Sequence, residues 1–250
     1  MRVFAGPNGS GKTTIINAIR DYKVKGVNVD FGIYINADDI AGELRENKFS
    51  FNKFVETTNK EFQAIALASG LVNVDFGEDI FRKSYQFKNN SILLKSEEAD
   101  ERLAQIIADF LRKKLLQEKK KFSFETVFSH YSKLDIMKQA VEQGYKVYLY
   151  FVSTESPEIN KYRVSVRKQQ GGHDVDEAKI ESRYYRSLDL LFEGAQLAYQ
   201  TYFFDNSEAG KDFKLVAHFK KEKGEKKWDK IKIKNIPNWF INYYSAKVKG

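Results

Sequence analysis

The sequence predicts an α/β fold in which helices cover a parallel central sheet. Strand-like and helix-like segments alternate from Met1 to about Asn206, which is the order that a parallel sheet with helical crossovers requires. Residues 146–153 form a nearly continuous apolar run, as expected of a central strand that is buried on both faces. A glycine-rich segment joins the first strand to the first helix, and such a connection is a common binding site for phosphate.

Length and composition restrict the class of protein. A chain of 250 residues suits one α/β domain with an elaboration, or one large and one small domain. The chain has no cysteine, which excludes disulfides and thiolate metal sites. No apolar run approaches the ~20 residues of a membrane-spanning helix, and the first strand begins at once without a signal peptide. We therefore expect a cytoplasmic protein that does not enter a membrane.

The first connection matches the phosphate-binding pattern G-x-x-x-x-G-K-[ST]. Its residues are Gly6, Pro7, Asn8, Gly9, Ser10, Gly11, Lys12 and Thr13, with Thr14 following. Backbone N–H groups of such a loop converge on phosphate oxygens at the start of a helix. We expect Lys12 to reach the β- and γ-phosphates of ATP and the Thr13 hydroxyl to hold Mg²⁺. The alternative is a glycine-rich turn without a ligand, but the strand before it and the helix after it favour the nucleotide site.

The other segments are assigned from their apolar spacing and their breakers. We predict strands at 27–40, 122–128, 146–153 and 201–206, and helices at 51–69, 97–117, 134–143, from Pro157 to Gly171, and at 176–199. Ser96 is the expected cap of the helix at 97–117. We interpret residues of about 46–95 as a partly helical insertion.

The net charge of +8 lies in the last forty residues. Residues 211–250 contain twelve lysines and four acids, so the first 210 residues are neutral. Segments 214–220 and 230–234 alternate lysine with apolar residues, which predicts antiparallel edge strands guarded by lysine. A basic surface with Trp228, Trp239, Tyr243 and Tyr244 is also compatible with nucleic acid, although a solvated edge is the favoured interpretation.

Asn36 and Asp38 follow the second predicted strand, at the end where parallel sheets bind ligands. We expect Asp38 to accept the proton of a substrate hydroxyl during phosphoryl transfer, and Asp39 to cap the next helix. The alternative is that both acids simply begin that helix.

Glu125 and Thr126 end an apolar strand, where a glutamate is unusual. An ionisable group in that position is expected to hold substrate or Mg²⁺-bound water. The alternative is an exposed position on an edge strand.

Two arginine pairs share helix faces, one at Arg163 and Arg167 and the other at Arg183 and Arg186. The segment Gly171-Gly172-His173 separates them. This arrangement predicts a lid of about residues 157–187 that neutralises transition-state charge on phosphate, and His173 would bind substrate or order the hinge. The alternative is a set of surface arginines paired with neighbouring glutamates.

Together these motifs resemble the zeta-toxin family of phosphate-loop kinases, in particular its zeta-toxin-like ATPase branch. The matching residues are Gly6–Thr13, Asn36-Ala37-Asp38, Phe124-Glu125-Thr126 and Gly171-Gly172-His173-Asp174-Val175, followed by Ile180 and Arg183. The resemblance covers about residues 1–45 and 96–207. It implies a P-loop kinase-like domain at 1–207 and leaves 208–250 as a lysine-rich extension.

The resemblance implies ATP-dependent phosphorylation of a small molecule, which is UDP-N-acetylglucosamine in the founding toxins. Asp38 would be the base, Asn36, Glu125, Thr126 and His173 would lie at the substrate, and the four arginines would clamp phosphates. An antitoxin protein is then a candidate partner. Two alternatives stay open: a polynucleotide kinase, and a nucleotide-dependent ATPase or switch that acts through a partner.

Overall fold

The computed structural model describes residues 1–46, 48–170, 175–231 and 234–248. The chain divides into two compact units, the first formed by Met1–Phe31 with Glu125–Gly250 and the second by Gly32–Phe124. Among the helices formed by the described residues, none has both the length and the apolar character needed to cross a membrane.

The strands in chain order are β1 (Arg2–Ala5), β2 (Lys23–Val24), β3 (Val27–Asn28), β4 (Ile33–Ile35), β5 (Lys48–Ser50), β6 (Tyr85–Phe87), β7 (Ser91–Leu94), β8 (Phe122–Thr126), β9 (Tyr148–Ser153), β10 (Gln200–Asp205), β11 (Lys214–Glu222) and β12 (Glu225–Trp228). The helices are α1 (Lys12–Asp21), α2 (Ala37–Arg45), α3 (Asn59–Leu67), α4 (Glu78–Lys83), α5 (Asp100–Gln117), α6 (Ser132–Glu142), α7 (Pro157–Gln169), α8 (Glu177–Asp189) and α9 (Leu191–Leu197). Short helical turns at Asn238–Phe240, Ile241–Ser245 and Ala246–Val248 make up the C-terminal segment (residues 238–248).

The first unit is built on a sheet that is parallel at its centre and antiparallel at one edge. Strand β9 pairs in parallel with β1 on one side and with β10 on the other. Strands β11 and β12 then continue the sheet in antiparallel order. The predicted α/β class, with a parallel sheet and a small antiparallel extension, is therefore confirmed.

Strand β9 forms the buried centre of this sheet. Leu149 and Phe151 are completely buried on one face, and Tyr150 and Val152 are at most 4% exposed on the other. Helix α9 packs on the first of these faces at Gly194, where an added methyl group would lie 2.7 Å from the Phe128 ring. The continuous apolar run that predicted a central strand thus has its physical cause in burial on both faces.

The lysine-rich region joins the sheet through a tight hairpin. Lys223 and Gly224 have φ values of 51° and 88°, as a two-residue turn between right-twisted strands requires. Strand β12 therefore starts at Glu225, directly after the turn. Of the predicted strand at 230–234, Lys232 and Ile233 lie outside the described residues, and Lys230, Ile231 and Lys234 belong to no described strand. Lysine does lie along the outer strand, at Lys226 and Lys227.

The C-terminal segment packs against the sheet through aromatic rings. The Phe203 ring centroid lies 4.6 Å from that of Tyr244 and 5.0 Å from that of Phe240. Trp239 and Tyr244 are only 2% and 1% exposed. These two rings are core residues and present no free surface for a nucleic-acid base to stack on.

The second unit combines a parallel strand pair with an antiparallel sheet. Strand β4 pairs in parallel with the first residues of β8, and the separate sheet has the order β5-β7-β6. Its core is a cluster of phenylalanine rings with centroids 5.2–5.9 Å apart, formed by Phe49, Phe51, Phe62, Phe81 and Phe110. All of these rings except Phe110, which belongs to α5, come from the predicted insertion of about 46–95, so the insertion and α5 share one core.

Two predicted elements are shorter than expected. Helix α3 starts only at Asn59, because the Thr58 hydroxyl caps it by accepting the Glu61 N–H. The predicted strand at 27–40 is divided between β3 and β4 and ends before α2, whose cap is Asn36. The predicted cap at Asp39 was therefore wrong.

Two further helices differ at their ends. The predicted helix at 176–199 is divided into α8 and α9 at Leu190. Helix α5 begins at Asp100, after a 3₁₀ turn at Glu97–Ala99 in which the Ser96 carbonyl accepts the Ala99 N–H. The residue at the cap position of α5 is Ala99, so the predicted cap at Ser96 was wrong.

Candidate functional site

The glycine-rich loop connects β1 to α1 with left-handed backbone at two glycines. Gly9 has φ 75° and Gly11, which precedes the first helical residue, has φ 95°. A methyl group at Gly9 would lie 2.6 Å from the carbonyl oxygen of Asn160, and one at Gly11 would lie 2.1 Å from the Asn206 side-chain nitrogen. Both positions therefore require glycine for two reasons, the sign of φ and the close neighbours.

Two asparagines fix the carbonyl groups of this loop. The Asn206 side chain, directly after β10, donates to the Ser10 carbonyl at 2.9 Å. The side chain of Asn160, on α7, donates to the Asn8 carbonyl at 2.6 Å and accepts the Thr154 hydroxyl. With its carbonyl oxygens turned toward these amides, the loop has a defined backbone before any ligand binds.

Two polar atoms of the loop lack a protein partner. Within the described residues, the hydroxyl of Ser10 and the Oδ1 of Asn8 are buried and make no hydrogen bond. Buried polar atoms without a partner are rare in folded proteins and call for a ligand, a water molecule or an ion.

Lys12 is a buried cation at the end of the loop. Its side chain is 9% exposed, and Nζ donates to the Pro7 carbonyl at 3.0 Å. Oε1 of Glu125 lies 3.8 Å from Nζ, so the glutamate at the end of β8 faces the loop and is only 15% exposed. The edge-strand alternative for Glu125 does not describe this position.

Thr126 shapes the backbone beside the loop. Its carbonyl accepts the Gly6 N–H at 3.3 Å, and its hydroxyl accepts the Phe128 N–H at 3.1 Å. Phe128 itself has φ 62°, an uncommon conformation for a bulky residue. Within the described residues the Thr126 hydroxyl oxygen therefore accepts a hydrogen bond, and the hydroxyl proton is available for a bond to a ligand.

A cavity of about 290 Å³ opens beside the loop, with basic side chains on the opposite wall. Its lining consists of Gly9, Gly11, Lys12, Thr13, Thr14, Glu125, Arg163, Val164, Arg167 and Asn206. Helix α7 presents Arg163 and Arg167 on the face that also carries Asn160, because the three positions are three to four residues apart. Desolvation lowers the pKa of Arg163, and the negative charge of Asp205 partly opposes this shift.

The second arginine pair lies elsewhere. Arg183 and Arg186 are on α8 and do not belong to the described lining of this cavity. The Arg186 guanidinium donates to the carbonyl and hydroxyl oxygens of Ser182 on its own helix, at 3.2 and 3.4 Å. His173 falls outside the described residues.

Asn36 and Asp38 belong to the second unit. The Asn36 side chain caps α2 by accepting the Asp38 N–H at 3.0 Å. The Asp38 carboxylate lies in the first turn of α2 and is exposed. Asp38 thus begins a helix, as the simpler alternative held, and its carboxylate is accessible.

The loop also provides hydroxyl groups at the cavity. Thr13 and Thr14 are exposed in the first turn of α1. Within the described part of the chain, no three His, Asp or Glu side chains come together as a metal site. A divalent cation here would depend on the Thr13 hydroxyl, water and the ligand's own phosphates, which is the usual setting of Mg²⁺.

Several residues at this site were not among the candidates predicted from the sequence. They are Asn160 on α7, and Thr154, Asp205 and Asn206, which lie at or just beyond the carboxyl ends of β9 and β10. The spacing of Asn160, Arg163 and Arg167 is a helical signal that could have identified the first of them. The others have no recognisable motif, because their role depends on which strands are neighbours.

Comparisons with known proteins agree with this fold. No protein-family model matches the chain, and no curated protein matches it in sequence. A chain from the AvrRxo1-ORF1:AvrRxo1-ORF2 complex with sulphate ions is similar, with a TM-score of 0.50 and 16% identity over 91% of this chain and 60% of that one. The same complex solved with ATP gives a TM-score of 0.49 at 16% identity, again over 91% and 60%. A structure from the PezAT chromosomal toxin–antitoxin system of Streptococcus pneumoniae gives 0.47 at 14%, covering 82% and 68%.

These likenesses concern the fold, since the identities are low and the chain spans less than two thirds of the AvrRxo1 chain. The likeness with a TM-score of 0.50 therefore supports the α/β fold predicted for this chain.

Proposed function

We propose that the protein is an ATP-dependent phosphotransferase that moves the γ-phosphoryl group to a hydroxyl group of a small molecule. The observation that carries this proposal is the cavity in which the glycine-rich loop, Lys12 and the two arginines of α7 converge. Concentrated positive charge around backbone N–H groups at a helix start is the arrangement that binds and stabilises phosphate.

The loop residues fit a nucleoside triphosphate with Mg²⁺. The α1 N-terminus and Lys12 would hold the β- and γ-phosphates, and a phosphate oxygen would give the buried Ser10 hydroxyl the partner that it lacks within the described residues. Thr13, exposed in the first turn of α1, would bind the metal ion. When bound, Mg²⁺·ATP supplies the transferable phosphoryl group and part of the compensating positive charge.

The residues of the chain then have separate tasks. Asp38 accepts the proton of the acceptor hydroxyl as that oxygen bonds to phosphorus and the bond to the β-phosphate oxygen breaks, with ADP leaving. Arg163 and Arg167 offset the negative charge that builds up on the phosphoryl oxygens. Glu125, beside Lys12, orients the lysine and the bound substrate.

The acceptor class rests on the resemblance alone. A UDP-N-acetyl sugar is the proposed acceptor, with Asn36, Glu125, Thr126 and His173 as substrate-binding residues. Arg183 and Arg186 are proposed to contact phosphate only if α8 supplies a second part of the lid. An antitoxin protein is proposed as partner on the same resemblance.

The test is a phosphotransfer assay with the purified protein, ATP and Mg²⁺ and a panel of UDP-sugars, nucleosides and short oligonucleotides. Mass spectrometry would detect one added phosphate. We expect a phosphorylated UDP-sugar, and about a 10²- to 10⁴-fold slower reaction for Asp38→Asn.

Each other outcome has a meaning. A phosphorylated oligonucleotide would replace the small-molecule acceptor by nucleic acid. ATP binding without product on any acceptor would favour a nucleotide-dependent switch and remove the support for Asp38 as the base.

A further inference from the structure

Strand β9 lies next to β1, and β10 lies next to β9. Each of these two strands ends at or near an acidic residue that is bound by the C-terminal segment. The backbone N–H of Asn238 donates to both carboxylate oxygens of Glu155, at 3.1 Å each. The indole N–H of Trp239 donates to Oδ1 of Asp205 at 2.9 Å. The extension that looked like a separate appendix in the sequence therefore reaches the edge of the sheet where the phosphate loop lies.

A serine links these two contacts. The Ser207 hydroxyl donates to Oδ1 of Asp205 at 2.6 Å, and it accepts the backbone N–H of Glu155 at 2.8 Å. Asp205 Oδ1 thus receives two donors, one from Ser207 and one from Trp239. The chain of hydrogen bonds runs from the C-terminal segment through both strand ends.

This chain of contacts touches the nucleotide site at two points. Asn206, between Asp205 and Ser207, donates to the Ser10 carbonyl of the phosphate loop. Asp205 also acts electrostatically on Arg163, which lines the cavity. Within the described residues, Arg163 makes no hydrogen bond or ion pair.

We propose that Trp239 and Asn238 are positioning residues of the nucleotide site. By donating to Asp205 and Glu155, they hold both strand ends so that Asn206 supports the phosphate loop. They also keep the Asp205 carboxylate from drawing Arg163 out of the cavity. The inference rests on the proposed function for its binding readout, while its structural readout is independent of any ligand.

The decisive variant is Trp239→Phe, which keeps an aromatic ring against Phe151 and Phe240 and removes the donor together with part of the indole ring. Trp228→Phe is the matched control, because Trp228 belongs to the same region but is 44% exposed. We would measure hydrogen–deuterium exchange of residues 4–14 without ligand, and calorimetric binding of Mg²⁺ with a non-hydrolysable ATP analogue.

For Trp239→Phe we expect about tenfold faster exchange in the loop and about tenfold weaker binding, the size of one hydrogen bond to a carboxylate passed on in part. Trp228→Phe should change neither quantity by more than about twofold. In an Arg163→Met background, Trp239→Phe should weaken binding by less than it does alone, since part of its action passes through Arg163. A purely structural role for Trp239 would not produce that dependence.

Equal exchange and equal binding in the two tryptophan variants would overturn the proposal. If Trp239→Phe does not fold, Ser207→Ala removes the other donor to Asp205 and must loosen the loop in the same way; an unchanged loop there overturns the proposal too. If the wild-type protein binds no nucleotide, the proposed function fails, yet the exchange comparison still decides whether the C-terminal segment positions the loop.

Discussion

The close approach of Gly9 to α7 leads to a prediction that separates backbone strain from steric conflict. Gly9→Ala places a methyl group 2.6 Å from the Asn160 carbonyl oxygen at a φ of 75°. Gly210→Ala has nearly the same φ, 69°, and open space around the new methyl group. Gly42→Ala, inside α2, has open space and ordinary helical backbone.

The three substitutions isolate the contributions one at a time. The left-handed backbone costs about 1–2 kcal/mol for a non-glycine residue, which is the full expectation for Gly210→Ala. Overpacking adds about 1–3 kcal/mol, because the atom that Gly9→Ala meets is helix backbone and cannot rotate away. The expected loss of unfolding free energy for Gly9→Ala is therefore about 2–5 kcal/mol, while Gly42→Ala should gain about 0.5–1 kcal/mol.

Urea denaturation followed by circular dichroism measures all three differences, and binding of an ATP analogue by the folded variants measures the effect on the loop. We expect Gly9→Ala to lose nucleotide binding and Gly210→Ala to retain it. Equal destabilisation of Gly9→Ala and Gly210→Ala would show that the Asn160 carbonyl does not limit the space at Gly9, and would contradict this prediction.

Three further predictions follow from individual contacts. Asn160→Ala leaves the Asn8 carbonyl without its partner and removes one of the two acceptors of the Thr154 hydroxyl, so it should cost about 1–3 kcal/mol of unfolding free energy; a loss below about 1 kcal/mol in urea denaturation would show that Asn160 does not stabilise the loop. Arg163→Met should weaken binding of an ATP analogue in calorimetry by about tenfold or more, and Arg186→Met by less, because the Arg186 guanidinium also donates to Ser182 on its own helix; a reversed order would move the phosphate site to α8. Desolvation and Lys221 lower the pKa of Lys226 to about 8, so the folded state binds its proton less tightly than the unfolded state. The stability of the wild type should then rise between pH 8 and 10.5, by about 1 kcal/mol once its solvent contact is allowed for, and this rise should be absent from Lys226→Met in denaturation at several pH values.

The glycine-rich loop between β1 and α1 was predictable because its signal is local. Seven consecutive positions from Gly6 to Lys12 determine the backbone and the charge, and the neighbouring strand and helix determine the context. The parallel sheet was predictable from the alternation of strands and helices along the chain. The position of β9 at the centre of the sheet was predictable because a strand buried on both faces is apolar along its whole length.

The support around the loop was not predictable, because it depends on strand order. Asn206 reaches Ser10 although 196 residues separate them in the chain. Nothing in the local sequence marks that asparagine, and the same holds for the contact between Trp239 and Asp205. Such residues become visible only when the carboxyl ends of β9 and β10 are seen beside β1.

The composition of the C-terminal region indicated its lysine-bearing edge but not its contacts with the ends of β9 and β10. Its lysines indicated a solvated edge, and its aromatic residues kept a nucleic-acid surface open. In the structure several of the lysines pair with acids, as Lys220 and Lys227 do with Glu222. Trp239 is buried and donates a hydrogen bond to Asp205, so this region contacts the carboxyl end of β10 beside the glycine-rich loop.

The most direct test of the central claim is calorimetric titration of the purified protein with Mg²⁺ and a non-hydrolysable ATP analogue, beside Lys12→Met whose fold has been verified by circular dichroism. We expect one binding site in the wild type and about hundredfold weaker binding in Lys12→Met, since a charge-assisted contact to phosphate is lost. Equal binding by both proteins would place the nucleotide away from the loop at Gly6–Thr13 and contradict the account.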